Sequence, residues 1–273
     1  MKSILETDPY FVMSTGRTGT TFLTEFLNRH FPSLGCFQEP RPSWVFNVYS
    51  NLYCEGRLKR VRKIVKNYFI ASRNRLVKNF TGRQYIEINP FIYGMGDIFK
   101  EAFGEIKILH LVRHPLSFIS SALNFRSQGW RAHCVDLPIW NLNVEIAWRK
   151  QQICWRKLSK IQRKAWQWCY INDKIQSYQE ICKEYLCVKF EDLLSEEHTL
   201  REETMKKILS FLKLPKLERI FPQEFERKVN PSQASTSLNP AEPAPEIREA
   251  VSQICGPFMQ VFDYSLERPT FVS

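Results

Sequence analysis

The sequence predicts an α/β domain built on a central parallel sheet flanked by helices, and two observations carry that expectation. Short apolar runs alternate along the chain with stretches whose apolar residues recur at helical spacing, the order that puts crossover helices on both faces of a parallel sheet. The composition supplies the core. With 273 residues, 44% of them hydrophobic, and 20 Phe, 10 Tyr and 7 Trp against only 10 Gly, the chain is neither collagen-like nor of low complexity.

The first strand is expected at 10–13 (YFVM), followed by the loop STGRTGTT and a helix marked by Phe22, Leu23, Phe26, Leu27 and Phe31. Further buried strands are expected at 84–88 (QYIEI), 107–112 (KILHLV) and 186–190 (LCVKF), with helices near 91–102, 116–127 and 199–213. A basic helical insertion is expected at about 56–80, with Val61, Ile64, Val65, Tyr68 and Phe69 on its apolar stripe. Residues 144–185 carry four tryptophans at helical intervals; they read as core, on helix broken near 170–173. The Pro-rich stretch 229–245 reads as a loop before a last helix at 246–262. The whole, 1–273, reads as a single domain.

The formal net charge is +11. Nearly all of it lies between Gly56 and Ile86, which hold ten Lys or Arg and no acidic residue. An anionic ligand or partner follows from that balance, though not its identity. No two of the eight cysteines have CxxC spacing, so zinc-ribbon and dithiol redox sites lack their pattern, and the cysteines read as buried thiols. The first residues, MKSILETDPYFVM, break any signal-peptide run with Glu6, Asp8 and Pro9, and the chain is expected to be cytoplasmic.

Chemistry concentrates in the loop at 14–21. A turn from a buried strand into a helix aims backbone N–H groups and the positive end of the helix dipole at one point, which suits an anion. The hydroxyls of Thr18, Thr20 and Thr21 can donate to phosphate oxygens, Gly16 and Gly19 allow close backbone approach, and Arg17 adds a cationic fork. An ordinary Gly-containing turn is the alternative. The nucleoside-triphosphate motif GxxxxGK[ST] fails here, because Thr20 stands where that motif has Lys. Nor does an apolar strand end in an Asp placed for magnesium: ILHLV runs into Arg113-His114-Pro115. A transferred group of lower charge fits such a loop, and a sulfuryl group carries one negative charge where a phosphoryl carries up to two. Arg113, at the end of a buried strand, would face the crevice at the carboxyl edge of the sheet, and Ser121 on the next helix can reach the same anion.

On these segments the chain resembles the sulfotransferases that use 3′-phosphoadenosine 5′-phosphosulfate (PAPS), in a style similar to the carbohydrate and bacterial branches. FVMSTGRTGTTFL resembles the family's 5′-phosphosulfate loop, with Arg17 where the cytosolic branch has Lys. ILHLVRHPLSFISSALNFR is similar to its 3′-phosphate segment, CVKFEDLLSEEHTLREETMKKILSFLKLP to its strand, acidic pair and helix, and EIREAVSQICGPFMQVFDYS to its C-terminal helix. The resemblance implies a P-loop-type domain and metal-independent, in-line transfer of a sulfuryl group from PAPS to an acceptor hydroxyl of a carbohydrate or other small molecule. It implies that Arg17, Thr18, Gly19, Thr20 and Thr21 hold the 5′-phosphosulfate, with Arg17 stabilising the charge that develops, and that Arg113 and Ser121 hold the 3′-phosphate. No metal site is implied.

Two carboxylates are candidates for the base that takes the acceptor's proton. Glu39, in CFQEPRPSW, resembles the Glu-Pro of carbohydrate and bacterial members; Glu87, in YIEINP, lies near where the cytosolic branch has its catalytic His. For each, pairing with a neighbouring Arg is the alternative. The pair Glu191-Asp192 reads as capping the helix behind it. Arg227-Lys228-Val229 lacks the glycine of the family's closing segment. The basic insertion reads as a track for an anionic acceptor, an anionic membrane surface, or a solvated helix face. Nucleic acid is not expected as a partner. An atypical P-loop kinase and a non-catalytic basic nucleic-acid-binding protein are the competing readings; the first predicts magnesium-dependent turnover of ATP, the second steeply salt-dependent binding of DNA or RNA.

Overall fold

A computed structural model of the chain describes residues 2–54, 59–124, 146–148, 151–154, 157–217 and 243–266. Most of the Pro-rich stretch at 229–245, Arg227, Lys228 and residues 56–58 and 125–127 lie outside the described residues.

Five parallel strands form the central sheet: β1 (Asp8–Ser14), β2 (Gly35–Gln38), β3 (Gln84–Ile88), β4 (Lys107–Val112) and, after a two-stranded antiparallel pair of β5 (Ile146–Trp148) and β6 (Gln151–Ile153), β7 (Glu184–Lys189). The order across the sheet is β2-β3-β1-β4-β7, with Val12 opposite Ile88 of β3 on one side and Leu109 of β4 on the other. All six residues of β4 are buried. That explains why KILHLV reads as a continuous run rather than an alternation: a central parallel strand has no wet face.

Period-two geometry sends alternate residues of β1 into two cores. Tyr10 and Val12 pack with Phe22, Leu23, Phe26 and Leu27 of α1 (Thr20–His30) and with the later helix His198–Phe211. Phe11 and Met13 face the larger core, built from α2 (Ser43–Cys54), α3 (Arg62–Val77), α4 (Gly96–Phe103), α5 (Pro115–Leu123), α6 (Lys160–Ser177) and the C-terminal helical segment. Phe11 stacks on Phe99 with ring centroids 3.9 Å apart. After β7 come α7 (Phe190–Leu193), α8 (His198–Phe211) and α9 (Pro245–Ala250), the last continued by helical turns to Phe262.

Three expectations are corrected. The helix expected over 144–185 is replaced at its start by the β5–β6 pair, and α6 runs without a break through 170–173. Asn172, a weak helix former, is held there by tertiary contact: it is fully buried, and its Oδ1 meets His110 Nε2 at 2.9 Å. Glu191 does not cap the helix behind it; it lies inside α7, and Glu197 stands at the N-cap of α8. β2 and α2, neither of them expected, complete the sheet edge and its cover.

Candidate active site

All five parallel strands point their carboxyl ends to one edge, and the chain reverses direction across the sheet at β1, so the loops after β1 and β4 part to open a crevice. After Ser14 the backbone turns through Gly16 (φ 79°), Arg17 (φ 58°) and Gly19 (φ 75°), all left-handed. Glycine takes that region freely; Arg17 does so only because its surroundings hold it, the kind of strain found at functional turns. The Gly16 N–H donates to Ser14 Oγ at 3.0 Å. Gly19 is the N-cap of α1 and brings no side chain to it, so the positive end of the helix faces the loop. Thr18 is fully buried and its Oγ1 has no partner among the described residues. A buried hydroxyl left unbonded costs about 1–3 kcal/mol, which a bound anion would recover. Thr20 is buried, and Thr21 Oγ1 accepts from Gln38 Nε2 at 2.8 Å, tying α1 to the end of β2.

Arg113 leaves the end of β4 toward the same loop. Its Nη1 donates to the backbone oxygen of Arg17 at 2.7 Å, its guanidinium lies 4.2 Å from the Phe190 ring centroid, and its Nε is buried without a partner among the described residues. Burial pulls Arg113 down to about 10, with Glu191 opposing and Arg17 adding to the drop, so it stays charged at neutral pH. Burial also lowers Arg17. The Arg17 Nε donates to Ser121 Oγ at 3.1 Å. Arg17, Arg113 and Ser121, read from the sequence as serving opposite ends of one nucleotide, therefore meet in one place.

Several residues that the sequence did not link to Arg113 position it. Trp168 Nε1 donates to its carbonyl at 2.8 Å; the next residue, His114, donates its N–H to Glu191 Oε1 at 2.9 Å; and Tyr264 O–H donates to Glu191 Oε2 at 2.7 Å. Burial raises the Glu191 carboxyl, and the bonds from Tyr264 and His114 work against that. Trp168 belongs to the core, as expected, and also serves the crevice edge. Nothing local in the sequence links Tyr264 to β4.

The two candidate bases differ sharply. Glu39 is exposed, stands one residue beyond β2 with φ 43°, and donates its N–H to Ile88 O at 3.0 Å. It lies two strand positions from β1, about 10 Å across the sheet. Glu87 is fully buried and bidentate with Arg73 of α3, at 2.8 and 2.6 Å, and also accepts from Tyr85 O–H at 2.7 Å and Asn89 Nδ2 at 2.9 Å. Its geometry is that of the Arg-paired alternative. Arg73 also donates to Arg41 O at 3.2 Å, which braces the turn after Glu39.

In three dimensions the chain is similar to the sulfotransferase domain from the curacin biosynthetic pathway, with 15% identity, a TM-score of 0.50, and 97% of this chain and 95% of that one covered. It is equally similar to a sulfotransferase from Alicyclobacillus acidocaldarius, with 12% identity, a TM-score of 0.50, and 95% and 98% covered. No family model matches the chain, and no curated protein matches it in sequence. The likeness is one of fold: the chain has a sulfotransferase-like α/β architecture.

Proposed function

We propose that the protein is a PAPS-dependent sulfotransferase acting on an acceptor hydroxyl of a carbohydrate or other small molecule. The observation that carries the reading is the meeting of two half-buried arginines, Arg17 and Arg113, with the buried Thr18 hydroxyl, unpartnered among the described residues, at the carboxyl edge of the sheet. The Thr18 hydroxyl and the Arg113 Nε, both buried and without a partner among the described residues, suit a ligand rich in phosphate oxygens.

When bound, PAPS supplies a sulfuryl group already activated on a phosphate leaving group. The loop residues Thr18, Gly19, Thr20 and Thr21 would hold the 5′ end through their N–H groups and hydroxyls at the start of α1. Arg113 and Ser121 would hold the 3′-phosphate, with Phe190, Trp168 and the Glu191–Tyr264 pair fixing the arginine. Arg17 would exchange Ser121 for the sulfuryl oxygens by a rotamer change, bringing positive charge to the departing oxygen. Glu39, exposed on the same edge of the sheet after β2, would accept the proton of an acceptor spanning from there to the loop, while Glu87 braces the turn from behind.

Isothermal calorimetry with adenosine 3′,5′-bisphosphate, with and without magnesium, tests the assignment. Binding should be independent of metal, and Arg113→Ala should weaken it by roughly tenfold to a hundredfold, the range for a lost bond to a charged group. No heat from the intact protein, or binding only with magnesium, would overturn the proposal; magnesium-dependent turnover of ATP would favour a kinase instead.

A further inference from the structure

The outer face of α3 carries a feature that sulfuryl transfer does not use. Every charged residue of this helix is basic. Arg73 turns inward to Glu87, and Arg62 and Lys66 pair with Glu101 of α4, Arg62 Nε at 3.0 Å. That leaves Lys63 and Arg75, joined by Arg60 and Lys78 just outside the two ends of the helix, all exposed and none with an acidic partner among the described residues. Within this cationic ridge, one helical turn apart, Ile64 is 68% exposed and Tyr68 46%. The Tyr68 ring lies 6.0 Å from that of the buried Phe46 in α2.

We infer that this face docks the protein peripherally on an anionic lipid bilayer. Charge complementarity and apolar exposure point the same way. Lys and Arg reach headgroup phosphates through long stems while Ile64 enters the acyl boundary and Tyr68 sits at headgroup level, the usual pattern of an interfacial amphipathic helix. Nucleic acid or an acidic polysaccharide would account for the cations and for aromatic stacking, but gives Ile64, an aliphatic side chain held open to water, nothing to pack against. The inner face of the same helix is fixed by Phe69, Val77 and the Arg73–Glu87 pair, so the ridge is presented by a packed element.

Vesicle co-sedimentation of the full chain tests this, comparing phosphatidylcholine alone with an equimolar mixture of phosphatidylcholine and phosphatidylserine. The protein should sediment with the anionic vesicles only, and less as salt rises. Lys63→Gln and Arg75→Gln should each lower the partition coefficient by about fivefold. Ile64→Ser with Tyr68→Ser should lower it by about tenfold or more, while Val261→Ser, at an exposed apolar position elsewhere, should leave it unchanged. Equal partition onto both vesicle types, no sedimentation, or anionic binding insensitive to the Ile64/Tyr68 change would overturn the inference. So would binding of an RNA oligomer or heparin that tracks the cations while vesicles are ignored. Circular dichroism and calorimetry with adenosine 3′,5′-bisphosphate should be unchanged in the variants, since none of these residues is among the described partners of Arg17, Thr18 or Arg113. Vesicle binding without nucleotide binding would sink the sulfotransferase reading alone.

Discussion

Arg73 and Glu87 show how one pair of residues changes meaning once its surroundings are known. In sequence, Arg73 is one cation in a basic run and Glu87 a carboxylate at a strand end. In the fold both are fully buried, the carboxylate takes four hydrogen bonds, and the guanidinium sits 4.9 Å from the Phe46 ring and 4.8 Å from Phe69. Attraction to Glu87 raises the Arg73 pKa against the burial that would lower it. Such a pair adds little net stability compared with an apolar replacement, but removing one partner strands the other charge in a dry site. Arg73→Met should therefore cost about 3–5 kcal/mol in urea denaturation, and the double change Arg73→Met with Glu87→Leu should recover most of it. If the single variant proves as stable as the parent, the ion pair is not holding the turn after Glu39. Nothing at the level of residue order tells which of ten cations is buried, because the partner arrives from a different strand.

At the scale of elements, the strand-loop-helix at 8–30 was legible because its signals are local: an apolar run, glycines at the turn, and helical spacing after it. β3, β4 and β7 were legible for the same reason. β2 was not, since GCFQ is four residues long at the sheet edge and begins with a glycine, and the unbroken α6 depends on a contact from β4 that no propensity encodes. The loop also shows how elements depend on one another. A Cβ on Gly19 would meet the Phe190 ring at 3.2 Å, and that ring is the one under Arg113. Gly19→Ala combines left-handed strain with this contact and should cost about 1–2 kcal/mol. For a chain of this length, that corresponds to a melting temperature lower by roughly 2–4 °C. Calorimetric nucleotide binding should weaken along with it, because the displaced ring moves Arg113. Unchanged melting and binding would mean that α7 yields without strain and that the coupling between the two loops is absent.

For the molecule as a whole, the crevice rests on a sheet whose centre holds a histidine that cannot easily be charged. His110 is fully buried in β4, between Tyr185 O–H at 2.7 Å from Nδ1 and Asn172 Oδ1 at 2.9 Å from Nε2, with the Phe262 ring edge-on at 5.5 Å. The asparagine oxygen accepts the Nε2 proton, leaving Nδ1 to accept from tyrosine, so the neutral ring satisfies both partners and a second proton has nowhere to go. Burial lowers the His110 pKa to about 4, and lowers that of His114, which caps α5, in the same direction. The sign of the linkage follows. Between the unfolded value near 6.5 and the native value near 4, the unfolded chain binds a proton that the native chain refuses, so stability is full above pH ~6.5 and falls as the pH drops. Glu191 acts in the opposite sense, because its raised pKa means the native chain takes up a proton first on acidification. It offsets part of the loss. The slope due to His110 approaches about 1.4 kcal/mol per pH unit, on the order of 3 kcal/mol over the whole window. Urea midpoints measured from pH 7 to pH 4.5 should therefore fall steadily in the parent chain. They should fall less in His110→Gln, which keeps a polar group between Tyr185 and Asn172 but has no proton to gain. Parallel pH profiles for the two proteins would show that the charge taken up on unfolding belongs to other residues, and that the centre of the sheet does not set the acid limit of the fold.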